Sequence, residues 1–196
     1  MGQKIQLTAG DGFRLEAYRA DPSGKARGGI VVIQEIFGLN AHIREVADQY
    51  AGAGYLAIAP AMFDRARPGI ELGYDAAGIG QGVEYMTGLK PDQTLLDLKA
   101  AIAFAGSAGK VGVVGYCWGG VVAYIAAAHC NIAAAVSYYG GRITQHLKEK
   151  PKCPLMYHFG ELDKSIPDST IQQVREAHPA GIFHLYKGAD HGFNCS

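Results

Sequence analysis

The sequence predicts an α/β fold, and three observations predict it. Short apolar runs of four or five residues recur along the chain, as strands buried on both faces require. Between them lie stretches whose apolar residues fall at helical spacing. Glycine supplies 27 of 196 residues, about twice its usual share. These glycines have no period and fall mostly between the apolar runs, the pattern of tight turns joining short buried elements. Strands that alternate with helices imply a mostly parallel sheet with helices on both faces.

The elements follow in order. Lys4 to Leu7 and Phe13 to Arg19 alternate apolar and polar residues around Asp11-Gly12, which predicts an edge hairpin. Gly29 to Ile33 is a buried strand. His42 to Ala53, with Ile43, Val46, Ala47 and Tyr50 on one face, is a helix closed by Gly54. Tyr55 to Ala59 is a second buried strand. Phe63 to Gly88 is long, rich in glycine and without a clean period until about Gly82, so it reads as a lid-like loop. Pro91 to Ala105 is a helix that places Leu95, Leu98, Ile102 and Ala105 on one stripe. Val111 to Val114 is a strand, Val121 to Ala128 an Ala-rich helix, and Ile132 to Tyr138 a strand. Leu155 to Phe159 and Phe183 to Tyr186 complete the set.

Composition narrows the function. A chain of this length suits a single domain, 1–196, and buries roughly 70% of its unfolded surface. Eighteen basic residues balance eighteen acidic ones, against a nucleic-acid binder that must cluster Lys and Arg on phosphates. No apolar stretch reaches the length of a membrane span. Met1 to Ile5 lacks the apolar core of a signal peptide, so a cytoplasmic location is expected. Cys117, Cys130, Cys153 and Cys195 contain no C-x-x-C pair, which argues against a structural zinc site or a disulfide framework. Neither a metal nor an organic cofactor is expected.

One segment carries chemistry. Val111 to Val121 runs from a buried strand through a sharp turn straight into a helix, and Gly115-x-Cys117-x-Gly119 matches the nucleophile elbow with sulfur in place of oxygen. The turn holds its central residue in a strained conformation, so the residues two before and two after it must lack side chains. It presents the thiol at a helix N-terminus, where unpaired N–H groups favour thiolate. The N–H of Trp118 then faces a developing oxyanion. The alternative for Cys117 is a buried core cysteine.

A nucleophile needs a base, and the base needs an orienting acid. His191 lies in a loop after the last strand, whereas the other six histidines fall in helices, strands or polar connections with structural readings. Asp163, just past a strand end, is the acid candidate. Its rivals are Asp190, adjacent to the histidine, and Asp168, further into the loop. The chain order nucleophile, Asp, His is that of α/β-hydrolases.

Together these motifs resemble the dienelactone hydrolase (carboxymethylenebutenolidase) family, a branch of the α/β-hydrolase fold. They are Gln34 to Asn40 after the first buried strand, Gly115 to Gly120 at the elbow, Tyr138-Tyr139-Gly140, the stretch ending at Asp163, and His191-Gly192-Phe193. They stand in order over essentially the whole chain. The resemblance implies a triad of Cys117, His191 and Asp163, and an oxyanion hole from the N–H groups of Ile36 and Trp118. It also implies that Glu35 helps to generate the thiolate; the plainer alternative pairs Glu35 with Arg44. The implied reaction is acyl transfer through a Cys117 thioester, opening dienelactone to maleylacetate, with a small-molecule ester or lactone as the partner.

Two departures from the family qualify this. The family's dienelactone enzymes hold the substrate carboxylate with arginines, yet no Arg occurs between Arg67 and Arg142, and none follows His191. Arg65 and Arg67 are the substitutes on offer, with Tyr139 as a further substrate contact. A neutral ester, lactone or thioester is therefore an alternative substrate. The family also leads one to expect a further helix after His191, which this sequence lacks. Either the chain is shortened there, or a sheet face is left uncovered, with self-association or reduced stability the expected consequence. A non-catalytic binding protein on the same fold is the competing reading, and fast thiol alkylation would separate the two.

Overall fold

The strands and helices of the computed structural model, which describes residues 2–195, follow the α/β class, with β-strands alternating with α-helices from residue 29 onward. Contacts divide the chain into two compact units, Met1–Gly112 and Val113–Ser196.

In the first unit, β1 (Gln3–Thr8) and β2 (Arg14–Ala20) form an antiparallel hairpin in register from Gln3↔Arg19 to Thr8↔Arg14. β2 also pairs antiparallel with β4 (Leu56–Pro60), and β4 pairs parallel with β3 (Gly29–Ile33), giving the order β1-β2-β4-β3. The crossover from β3 to β4 is α1 (Ala41–Gly52). Asn40 caps it, its side-chain oxygen accepting the Ile43 N–H at 3.1 Å, which satisfies one of the N–H groups a helix start leaves open. β4 is buried at every position and has both α1 and α3 (Pro91–Ala105) against it, which is why its sequence shows no polar alternation. β5 (Val111–Tyr116) leads out of this unit.

The stretch 63–88 departs from the loop reading. Its second half is a helix, α2 (Ala76–Gly88), capped by the Asp75 carboxylate, which accepts the Gly78 N–H at 2.7 Å. Four of its residues, Gly78, Gly80, Gly82 and Gly88, are glycine. Only Gly78 and Gly82 are buried, so the apolar stripe that announces a helix is missing. Tertiary contact supplies what propensity does not: Gly82 lies so close to the Ile36 carbonyl that no Cβ would fit. The residues before α2 are tied down as well. The Leu72 N–H donates to the Phe37 carbonyl at 2.8 Å, Gly38 and Glu71 form an isolated β-bridge, and Arg44 pairs with Glu71 at 2.7 Å.

In the second unit, α4 (Trp118–His129) packs against β6 (Ala134–Tyr138). β6, β7 (Leu155–Gly160) and β8 (Ile182–Tyr186) pair in parallel, aligning Tyr138, His158 and His184 across the three strands. Between β7 and β8 lies a helix the sequence reading passes over, α5 (Asp168–Ala177). Only Ile171 and Val174 of α5 are buried, too few apolar positions to raise a periodic signal. β8 is exposed at Ile182, His184, Leu185 and Tyr186. Among the described residues no helix is long and apolar enough to cross a membrane.

Candidate active site

β5 ends at Tyr116 and α4 begins at Trp118, so Cys117 alone makes the turn. Its φ of 53° and ψ of −117° lie where a non-glycine residue is strained, at a cost of order 1–3 kcal/mol. The surroundings fix that conformation. The Cys117 N–H donates to the Tyr138 carbonyl at 3.0 Å, and its own carbonyl accepts the Gly120 N–H at 2.9 Å. At Gly115 a Cβ would collide with the Gly119 carbonyl oxygen and stand 2.8 Å from the Gly120 nitrogen. These obstacles are backbone, so no rotamer change relieves them. The thiol thus sits at the first turn of α4, on the positive end of its dipole.

His191 follows β8 in a loop whose Gly188 and Gly192 have φ of 73° and 74°. That loop is bonded to the turn after β7: the Leu162 N–H donates to the Ala189 carbonyl at 2.8 Å, and the Gly188 N–H to Glu161 Oε2 at 2.8 Å. The turn carries Asp163, so the loops of Asp163 and His191 are braced on each other. His191 Nε2 stands 3.3 Å from Cys117 Sγ, and Nδ1 stands 2.6 Å from Asp163 Oδ2. The Asp163 side chain is fully buried. Its other oxygen, Oδ1, accepts the Ser165 N–H at 2.9 Å and the Ser165 hydroxyl at 2.6 Å.

Of the rival acids, Asp190 receives the backbone N–H of His191 at 2.7 Å rather than its ring, and Asp168 opens α5. The structure therefore brings together Cys117, His191 and Asp163. Sequence reasoning missed Ser165; the signal for it was the Asp-x-Ser spacing of an Asx turn.

The electrostatics follow from these contacts. Burial would push His191 down, but the hydrogen bonds and charges of Asp163 and Cys117 outweigh it and hold the imidazole up at about 10. Burial would likewise raise Asp163, and the hydrogen bonds from His191 and Ser165 outweigh that, keeping the carboxyl below its usual range. Both shifts favour an imidazolium on a carboxylate, with the ring's Nε2 facing the sulfur.

The other candidates are placed as follows. Trp118 is the first residue of α4, and its N–H belongs to the turn whose N–H groups have no carbonyl four residues back in the helix. Tyr139, expected at the substrate, is fully buried at φ 39°. Its ring stands edge-on to His191 with centroids 5.0 Å apart, so it packs against the imidazole. Arg65, offered as a substrate contact, is held by other partners. Its Nε, Nη1 and Nη2 all donate to Asp97 and Asp11 at 2.8–3.0 Å, and the guanidinium lies 4.3 Å from the Phe13 ring centroid. Those contacts make it a structural tie, with little left to grip a substrate carboxylate. Arg67 is exposed. In the first unit Ile36 is buried, and Glu35, 2% exposed, accepts the Tyr74 hydroxyl at 3.1 Å. Arg44, the alternative partner for Glu35, pairs instead with Glu71. Tyr74 is a second contact that sequence reading did not supply. Among the described residues no cluster of three or more His, Cys, Asp or Glu residues is arranged to hold a metal ion.

Residues 15–196 match the family model described as "Dienelactone hydrolase family". A carboxymethylenebutenolidase of Pseudomonas putida is 35% identical over 199 residues, spanning 96% of this chain and 84% of that protein. One from Pseudomonas sp. strain P51 is 33% identical over 204 residues, spanning 96% and 83%. A crystal structure described as "Putative Dienelactone Hydrolase" from Klebsiella pneumoniae superposes with a TM-score of 0.81 at 29% identity, covering 97% of this chain and 88% of that one.

Proposed function

The chain belongs to the dienelactone hydrolase family and hydrolyses an ester or lactone, and from that premise we propose that Cys117 is its nucleophile, acting through a thioester. The observation that carries the reading is the line from Cys117 Sγ through the His191 ring to Asp163, at 3.3 and 2.6 Å. The His191 ring nitrogen 3.3 Å from the sulfur is placed to take up its proton.

The steps follow from that line. The thiolate attacks the acyl carbon, forming a C–S bond and placing negative charge on the carbonyl oxygen. The Trp118 N–H stabilises that oxyanion. Collapse breaks the C–O bond, and the leaving oxygen takes the proton of His191 Nε2. A water then gives a proton to the now neutral Nε2 and attacks the thioester carbon. The second tetrahedral intermediate expels thiolate and releases the carboxylic acid product. Asp163 holds the ring with its proton on Nδ1 throughout. Because a thioester forms readily only from a good leaving group, the substrate is a lactone or activated ester. The first substrate we propose is dienelactone, an enol lactone whose enolate leaves easily, opened to maleylacetate. The parts of Glu35 and Ile36 rest on the family resemblance alone; unchanged kcat/KM in Glu35→Gln would remove Glu35 from the reaction.

A second reading has its own support. With Arg65 engaged by Asp97 and Asp11, the family's arginine clamp on a substrate carboxylate has one candidate fewer, which favours a neutral ester, lactone or thioester. Initial rates on dienelactone and on a neutral activated ester, for the parent and Cys117→Ala, test both. The variant is expected to lose at least about a thousandfold in kcat/KM. Turnover of dienelactone supports the first substrate, and turnover of the neutral ester alone supports the second. Activity independent of Cys117 would overturn the nucleophile. Discharge of His191 predicts a further alkaline fall in kcat/KM near pH 10.

A further inference from the structure

We infer that Ser165 is a positioning residue of the reaction, holding the Asp163 carboxylate and the His191 ring in one arrangement through its hydroxyl. This rests on the reading of Cys117, His191 and Asp163 as the reacting set. Rotation of an aspartate carboxylate about its last bond is loosely restricted, so burial alone does not decide which oxygen faces the histidine. Here Oδ1 receives both the N–H and the O–H of Ser165, at 2.9 and 2.6 Å. Oδ2 is thereby left to the ring at 2.6 Å.

The same Oγ stands 3.2 Å from His191 Nδ1. The hydroxyl proton goes to Asp163, so what Oγ turns toward Nδ1 is a lone pair. An acceptor there favours a proton on Nδ1, and that tautomer keeps Nε2 for the sulfur and the leaving group. One hydroxyl thus bridges acid and base, and it biases both toward the geometry the reaction uses.

The backbone N–H of residue 165 reaches Oδ1 whatever the side chain, so the turn itself does not require serine. Only a hydroxyl supplies the second donor to Oδ1 and the acceptor to Nδ1. The two contributions are separable by substitution: Ser165→Ala keeps the Asx turn and removes the bridge, and Ser165→Thr keeps both.

The experiment is steady-state kinetics on an activated ester for the parent, Ser165→Ala, Ser165→Thr and Cys117→Ala, with melting curves for each. Ser165→Ala is expected to lower kcat roughly fivefold to tenfold, the upper range for one hydrogen bond, with KM within about twofold. Its melting temperature is expected to stay near the parent's. Ser165→Thr is expected to restore most of kcat. In proton NMR the low-field His191 Nδ1–H resonance is expected to move in the alanine variant and to stay in place in the threonine one. Parent-like kcat in Ser165→Ala, equal losses in Ala and Thr, or a loss confined to KM would each overturn the inference. If Cys117→Ala retained turnover, the nucleophile itself would be wrong, an outcome legible apart from anything seen at Ser165.

Discussion

Glycine is dense in two places, the turn around Cys117 and the helix α2, and it does different work in each. At Gly115 the absent side chain makes room for backbone on the far side of the turn, the Gly119 carbonyl and the Gly120 nitrogen. That room lets Cys117 keep a left-handed conformation. In α2, Gly78 and Gly82 admit the carbonyls of Gly73 and Ile36 against the helix, while Gly80 and Gly88 meet nothing within 4 Å. In the elbow a missing Cβ permits strain at the proposed nucleophile. In α2 it permits close approach at two positions and lowers helix stability at the others. The same residue type thus reads as chemistry only where strand and helix flank it.

The largest expected effect is Gly115→Ala. With the Gly119–Gly120 peptide against the new Cβ, the variant is expected to lose about 3 kcal/mol or more of stability together with its activity; denaturant melts and ester turnover check this. A folded, active Gly115→Ala would erase the distinction between the two regions. Next is Arg65→Ala, just upstream of α2, which leaves the buried Asp97 carboxylate without its partner. It is expected to cost about 3 kcal/mol with KM unchanged. A raised KM at unchanged stability would return Arg65 to the substrate.

Smaller effects lie within α2 itself. Gly82→Ala presses a Cβ onto the Ile36 carbonyl and is expected to cost about 1–2 kcal/mol, because a helix on an exposed segment gives way more easily than a turn between strand and helix. Gly80→Ala, exposed and unobstructed, is expected to gain about 0.5–1 kcal/mol. Equal melting shifts for the two substitutions would deny that Gly82 is there for packing.

Much of this was legible in the residues. The runs at Gly29–Ile33, Leu56–Pro60, Val111–Tyr116 and Leu155–Gly160 show as strands because burial on both faces excludes polar residues from them. Cys117, Asp163 and His191 were legible as candidates because each lies within a few residues of a strand's C-terminal end, at Tyr116, Gly160 and Tyr186, where loops gather functional side chains. α2 and α5 were not legible. The first is held by a cap and by backbone approach rather than by a stripe, and the second buries only two side chains. Tyr139 and Arg65 show the other limit. Residue type suggested a substrate contact, but the partner a side chain takes is settled by packing, against His191 in one case and between Asp97 and Asp11 in the other.

The central claim is covalent, so the most direct test is to trap the intermediate. Parent protein quenched in acid during turnover of an activated ester is examined by intact mass and then by peptide mapping. We predict one added acyl group on the peptide containing Cys117, released by hydroxylamine and absent from Cys117→Ala. Steady turnover with no acyl group on Cys117, and with Cys117→Ala as fast as the parent, would contradict the account.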